Sequence, residues 1–283
     1  MNNRVRIPMS ALATVVALIC VVASQANGTA QQNNTSPNTG TKPPPLPLHQ
    51  IEGNGGVFST FSAYLVNPPR NGEPIGRPSI GFGYINIGYG RDLVALTVTE
   101  TPWERLELGL GYNLLNLGDL PAVIAAGGGP VIDQTLALYH ANVRLQVLQE
   151  GQFELKWMPA VTLSAHVKYN DGINRINERL GGVLDAIGLT DDSSWDFTLY
   201  ASKMLTFMPR PVLVNLGGRA TESAQLGLLG FTDDYSFVFE ASVVVLATDW
   251  LMFAAEFKQQ PGEFSRLHLS ANRTIGGRLQ RGT

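Results

Sequence analysis

Ser164 and His166 come nearest to a reactive pair in this chain, because a hydroxyl two positions from an imidazole on an extended strand shares its face. With His140 on a neighbouring stretch, that is the beginning of a nucleophile and base arrangement. The sequence supplies no identifiable oxyanion donor to go with it. It also contains no G-x-S-x-G elbow, no H-E-x-x-H and no P-loop, and its four histidines, His49, His140, His166 and His268, are dispersed. Gly127-Gly128-Gly129 follows no buried strand and opens no helix, so it reads as a loop and not as a phosphate cradle. No catalytic residue, cofactor or metal ligand is assigned, and the chain is not read as an enzyme.

What does stand out is a set of charged and polar side chains at alternating positions. Arg105, Glu107, His140, Arg144, Glu154, Lys156, His166 and Lys168 fall on the polar faces of apolar/polar strands. On a barrel they would face the lumen, and their mixed signs argue against strong ion selectivity. Over residues 137–147 the odd positions are apolar and the even ones include His140, Asn142, Arg144 and Gln146. Over 153–169 the odd positions again carry Phe153, Leu155, Trp157, Val161, Leu163, Val167 and Tyr169, against Glu154, Lys156, Thr162, Ser164, His166 and Lys168. A strand of about 17 residues far exceeds the usual five or six, whereas a tilted strand crossing a bilayer needs about 9–11 plus its extensions. Gln149-Glu150-Gly151 makes the two stretches a hairpin.

The same alternation recurs with more noise at 80–90, 93–99, 105–114, 195–205, 212–221, 235–247 and 251–258, with a last strand at 264–274, and with Arg91-Asp92 as a tight turn. Links at 101–103, 149–151, 207–211 and 248–250 are short, and those at 118–133, 171–193 and 222–234 are long. The two kinds alternate, as short periplasmic turns and long external loops do in an outer-membrane barrel. The sequence therefore predicts an all-β fold, an antiparallel transmembrane β-barrel of about 10–12 strands over residues 80–274. The loop at 171–193 carries Ile173, Ile176, Leu180, Val183, Leu184 and Ile187 at helical spacing, a short amphipathic helix that could cap the mouth. Gly-rich residues 51–79 form an entry segment, either an extra strand or a plug in the lumen.

Composition and export signals agree with this. Charged residues make up 15% of the chain and the net charge is −3, which disfavours a nucleic-acid partner. Arg4 and Arg6 precede an apolar run at 11–23 that ends in Ser24-Gln25-Ala26, so residues 1–26 read as a cleaved signal peptide. Cys20, the single cysteine, lies inside that leader behind Ile19, which suits neither a lipid anchor nor a mature disulfide. Residues 27–50, rich in Asn, Thr and Pro, read as a flexible tether, and 275–283 as a disordered tail.

Three groups of residues also carry a resemblance: Ile51-Glu52-Gly53-Asn54-Gly55-Gly56, then Glu104-Arg105-Leu106-Glu107-Leu108, and the Gln225-Leu226-Gly227-Leu228-Leu229-Gly230 loop with the hairpin at 240–256. Over residues 51–261 the chain resembles an uncharacterised family of exported bacterial barrel-like proteins, classed as a domain of unknown function. The resemblance implies a barrel and transfers no site residues. The sequence departs from the usual barrel ending, since Arg266 and Arg273 fall in the last expected strand and no aromatic residue closes it.

The expectation is an outer-membrane barrel acting as a small passive channel, with outer-membrane lipid and the export and barrel-assembly machinery as partners. A side-chain-filled barrel with a structural, adhesive or envelope-assembly role is the alternative. A soluble periplasmic β-barrel binder comes third.

Overall fold

The computed structural model describes residues 13–21, 48–70, 72–248 and 251–259. Nine antiparallel strands follow one another as a meander: β4 (Ser79–Gly88), β5 (Arg91–Trp103), β6 (Leu106–Asn116), β7 (Thr135–Leu148), β8 (Ala160–Asp171), β9 (Ser193–Leu205), β10 (Val212–Ser223), β11 (Phe231–Leu246) and β12 (Leu251–Gln259). Each pairs with its sequence neighbour, and the sheet curls into a half-barrel. On the far edge of β12 lies β1 (Ala13–Val21), paired from Ala13 opposite Gln259 to Val21 opposite Leu251. The apolar run at 13–21, expected to belong to a leader, thus provides the tenth strand of the sheet. A separate pair, β2 (Leu48–His49) and β3 (Gly55–Gly56), belongs to the entry segment. The cleavage site after Ala26, most of the tether, the strand expected at 264–274 and the tail lie outside the described residues.

Turns alternate between two rims. One rim carries Tyr89-Gly90, the loop at 117–134, the loop at 172–192 and the turn at 224–230. The other carries 104–105, 149–159, 206–211 and 247–250. Both Tyr89 (φ 55°) and Gly90 (φ 70°) are left-handed, the geometry that matches a two-residue hairpin to the strand twist. The turn is therefore one pair earlier than Arg91-Asp92, and those two residues open β5.

Two local expectations need correction. The strand expected at 153–169 begins only at Ala160, because Gly151, Phe153 and Glu154 all take positive φ and carry the chain through a short 3-10 turn. Pro159, with no N–H to donate, stands at the ladder's end. Gln146 consequently faces Thr162, and Glu154 and Lys156 sit exposed in the turn. The single amphipathic helix is two short ones, α2 (Ile173–Arg179) and α3 (Val183–Ala186), separated by Gly181 (φ 69°) and Gly182 (φ 80°). A further short helix, α1 (Leu120–Ala126), forms in the 117–134 loop with Pro121 in its first turn, where the missing N–H costs nothing.

The interior is layered. At the long-loop rim an apolar cluster joins Leu93, Leu115, Leu136, Leu138 and Phe231 to Ile173 and Ile176 of α2, with Leu180 and Leu184 packed against it. Val183 and Ile187 of the predicted stripe stay exposed. A second apolar cluster forms around Phe61, Tyr64, Tyr200, Leu213 and Val244. Ionised and amide side chains crowd the inner face of the strands alongside these clusters. No helix among the described residues is long and apolar enough to cross a membrane, which bears only on helices.

Candidate functional site

Alternation along the strands places side chains of opposite character on the two faces of the sheet. On β7, His140, Asn142, Arg144 and Gln146 are buried on the concave face, while Tyr139, Val143 and Leu145 are exposed on the convex face. On β8, Thr162, His166, Lys168 and Asn170 turn inward, and Leu163 and Tyr169 outward. Of the eight residues expected to line a lumen, Glu107, His140, Arg144, His166 and Lys168 meet on the concave face. Arg105 sits in the tight turn between β5 and β6, and Glu154 and Lys156 in the turn before β8, so these three are rim residues. Their alternation with Phe153 and Trp157 imitates a strand because a turn at an apolar rim also exposes large side chains.

Residues 50–66, nearly all from the entry segment, pack against that face, and this inner stretch is called the plug below. Inner-face side chains bond its backbone at many positions. Thr99 Oγ1 donates to the Gly53 carbonyl at 2.8 Å, and Asn142 Nδ2 to the Glu52 carbonyl at 2.9 Å. Gln146 Nε2 and Thr162 Oγ1 both donate to the Ala63 carbonyl at 2.7 Å, while Ser202 Oγ accepts the Ala63 N–H at 2.6 Å. Arg144 donates to the Ser62 carbonyl and Thr101 to the Val66 carbonyl. On β12, Glu256 accepts the backbone N–H groups of Phe58, Ser59 and Thr60 at 2.9–3.1 Å, and both neighbouring hydroxyls. Three successive N–H groups wrapped around one carboxylate form a small anion nest.

Glycine makes the close approach feasible. A Cβ on Gly109 of β6 would land on the Gly53 carbonyl and the Asn142 amide, and one on Gly53, which is at φ 82°, would land on the Leu110 backbone. The crossing of plug and β6 is therefore backbone against backbone, and only glycine fits there.

Charge is concentrated where the plug meets β8 to β12. Glu52 lies 2.8 Å from Arg219, 3.1 Å from Lys168 and 3.7 Å from His166 Nδ1. Asp196 bridges the same two cations, 2.7 Å from Lys168 and 2.9 Å from Arg219. Arg219 reaches Glu240 at 2.9 Å, Glu240 reaches Lys258 at 3.0 Å, and Tyr200 donates to the other Glu240 oxygen. Three carboxylates and three cations thus compensate one another in a buried chain, which is the condition for keeping ions out of water. Burial alone would raise the Glu52 carboxyl, but Arg219 and Lys168 beside it hold it well below the usual carboxylate range. A second pair, Arg144 and Glu107 at 2.6 Å, is fully buried, and Glu107 also accepts the Val66 N–H at 2.6 Å. Phe61 of the plug packs edge-on to Tyr200, and the Arg219 guanidinium lies over its ring at 4.7 Å.

The Ser164–His166 contact forms, with Oγ and Nε2 2.9 Å apart, and Glu52 stands on the other side of the imidazole. Ser164 also bonds Thr198, and the imidazole is fully buried against Phe61 and Asn54 of the plug. The arrangement ties β8 to the plug and to β9. Sequence reasoning missed Glu52, Asp196, Arg219, Glu240, Glu256 and Lys258. For Glu240 a signal existed, because Glu240 and Ser242 interrupt the apolar run at 235–247 at alternate positions.

Among known proteins, no curated protein and no solved structure matches the chain. One family model does, Protein of unknown function (DUF3034), over residues 87–274. That match takes in the inner-face partners Lys168, Asp196, Arg219, Glu240 and Glu256, starts later than the expected resemblance at 51, and runs beyond β12. The chain belongs to this family of unknown function.

Proposed function

We propose that the protein is an exported outer-membrane β-barrel whose interior is closed by its own entry segment, serving as a membrane-embedded scaffold in the envelope and not as a standing-open pore. One observation carries the reading: the same strands bury Arg144, Lys168, Arg219 and Glu240 and expose Val143, Leu163, Leu216 and Phe237. A protein surrounded by water has the opposite arrangement, whereas a barrel surrounded by hydrocarbon requires this one.

Aromatic residues at both ends of the strands support the placement. Tyr112, Tyr139 and Tyr169 stand directly opposite one another on β6, β7 and β8 near the long-loop rim, with ring centroids 5.2 and 6.4 Å apart. Trp103, Phe153, Trp157 and Phe207 are exposed at the short-turn rim. Along β8 from Ala160 to Tyr169, at about 3.3 Å per residue and a tilt of about 40°, the strand rises about 23 Å, close to the roughly 25 Å apolar band of a membrane barrel. The cleaved leader, the periplasmic tether and outer-membrane lipid as the partner belong to the same proposal.

The filled interior favours the structural alternative over the passive channel, since conduction would require expelling residues 50–66 from more than a dozen polar contacts. Two measurements test this. Washing membranes with urea should leave the chain in the pellet, and release into the wash would reject membrane integration. Wild-type protein in a planar bilayer should show no steady conductance, and a persistent open current would reject the closed reading.

A further inference from the structure

We propose that the turn at 224–230 is a sprung lid at the long-loop rim, coupled to the plug through the Lys168 ammonium, so that loosening either one loosens the other. The contacts involved all lie within the chain, and the coupling therefore holds whatever medium surrounds the convex face.

The lid is strained, and it is held down. Gln225 (φ 48°), Leu226 (φ 67°) and Gly227 (φ 94°) are left-handed in succession, and only the glycine adopts that conformation freely. Such a turn persists where its surroundings fix it. Here the carbonyls of residues 226, 227 and 228 all meet side chains of β8. Asn170 Nδ2 donates to the Gly227 carbonyl at 2.7 Å and to the Leu228 carbonyl at 3.1 Å, which uses both of its N–H groups. Lys168 Nζ donates to the Leu226 carbonyl at 3.2 Å. Gly227 lets the turn sit close, since a Cβ there would stand 2.8 Å from the Phe231 ring and 3.3 Å from Leu138. Glu256 thus grips the plug by three backbone N–H groups, and β8 grips the lid by three backbone carbonyls.

Lys168 joins the two elements. An ammonium has three N–H donors, and its acceptors here come from three parts of the molecule: the Leu226 carbonyl of the lid, Glu52 of the plug at 3.1 Å and Asp196 of β9 at 2.7 Å. Raising the lid takes away one acceptor, so the buried ammonium must shift its hold on Glu52 or go short of a bond. Withdrawing Glu52 does the same to its hold on the lid. Apolar packing runs in parallel, because Ile51 of the plug and Leu228 of the lid share one cluster with Leu138, and Leu226 packs against it. Groups that share a partner in this way are coupled in free energy, and the coupling is reciprocal.

Single cysteines read the two elements separately, in the full chain carrying Cys20→Ser. Leu138→Cys lies beneath the lid and Val57→Cys within the plug, both at buried positions, so the rate at which a polar maleimide labels each reports local opening. Asn170→Ala frees two lid carbonyls and should speed labelling about tenfold at position 138 and about two- to tenfold at position 57. Gln225→Gly removes strain at an exposed side chain and should slow labelling about three- to fivefold at 138, with a smaller slowing at 57. That variant tightens the fold, so misfolding cannot mimic its result. From the plug side, Glu52→Gln should speed labelling at 138. In a background of Lys168→Met with Asp196→Asn, which deletes one charge of each sign, position 57 should no longer respond to Gln225→Gly. A position 138 indifferent to both lid variants, a position 138 that responds alone, or a response at 57 that survives the loss of Lys168 would each overturn the proposal. So would an equal rise in labelling at Leu213→Cys in β10, which would mean general unfolding. Urea washing decides the membrane reading independently of all these outcomes.

Discussion

Val143 and Arg144 are neighbours in sequence on β7, yet the valine is 42% exposed while the arginine is 1% exposed and ion-paired. The convex face repeats the valine's situation and the concave face the arginine's. The two surfaces of one sheet differ in kind: outside, large apolar side chains stand exposed. Inside, most buried polar side chains are matched to the plug backbone, to a neighbouring polar side chain or to an opposite charge. Substitutions should therefore be tolerated outside according to polarity alone, and inside according to partnership.

The largest effect is expected at the centre of the charge network. Arg219→Ala leaves Glu52, Asp196 and Glu240 short of one cation and should cost about 3–5 kcal/mol, the usual penalty for an uncompensated buried charge. Urea unfolding of the refolded protein reads it, and a loss below about 1 kcal/mol would mean that water already reaches the site. On the convex face, Leu163→Arg should cost about 2–4 kcal/mol when folding is measured into lipid vesicles. Thr162→Arg, which a wet lumen would accept, is expected to be at least as disruptive, because Thr162 is buried against the Ala63 carbonyl. Near-normal folding of that variant would break the comparison by showing that the interior has spare room.

Gly109→Val tests the crossing itself. The added side chain meets the Gly53 carbonyl, so about 1–3 kcal/mol of strain is expected, relieved by displacement of the plug and visible as the first appearance of bilayer conductance. The smallest effect concerns pH. The folded Glu52 carboxyl is depressed, so its contribution is complete above the unfolded value near pH 4.3 and is lost as pH falls further toward the folded one. The stability difference between wild type and Glu52→Gln should accordingly shrink below about pH 4 and stay level between pH 6 and 8. A difference that instead grows in acid would reverse the assigned direction.

Much of the sheet was legible because a strand with one apolar and one polar face writes its period into the sequence, and the hairpin of β7 and β8 did so without a slip over Ala137 to Gln146. The polar positions of that hairpin pointed directly to His140, Arg144, His166 and Lys168. The rest was hidden for identifiable reasons. Rim turns with exposed Phe153 and Trp157 continue the alternation past the end of the hydrogen-bonded ladder, which lengthened β8 and moved Glu154 and Lys156 inside. In the 172–192 loop the apolar stripe outweighed the Gly181-Gly182 pair, whose left-handed turns break the helix in two. The plug was hardest to read, because residues 50–66 are specified by where glycine and backbone carbonyls meet other strands, and such matching has no period.

The nest around Glu256 also constrains the order of events in folding. The bonds from Phe58 to Glu256 join residues 198 positions apart, while Val66 is fixed to Glu107 only 41 positions away. The Val66 end of the segment can dock as soon as β5 and β6 exist, but the anchor at 58–60 arrives with the last described strand. In the proposed closed barrel the segment could not enter sideways, so it has to lie across the growing sheet before the edges meet. Contacts of such sequence separation are slow to form because loop closure precedes their reward. The segment would then act as an internal mandrel around which the sheet curls, and its loss should delay assembly more than it lowers the stability of what is finally assembled.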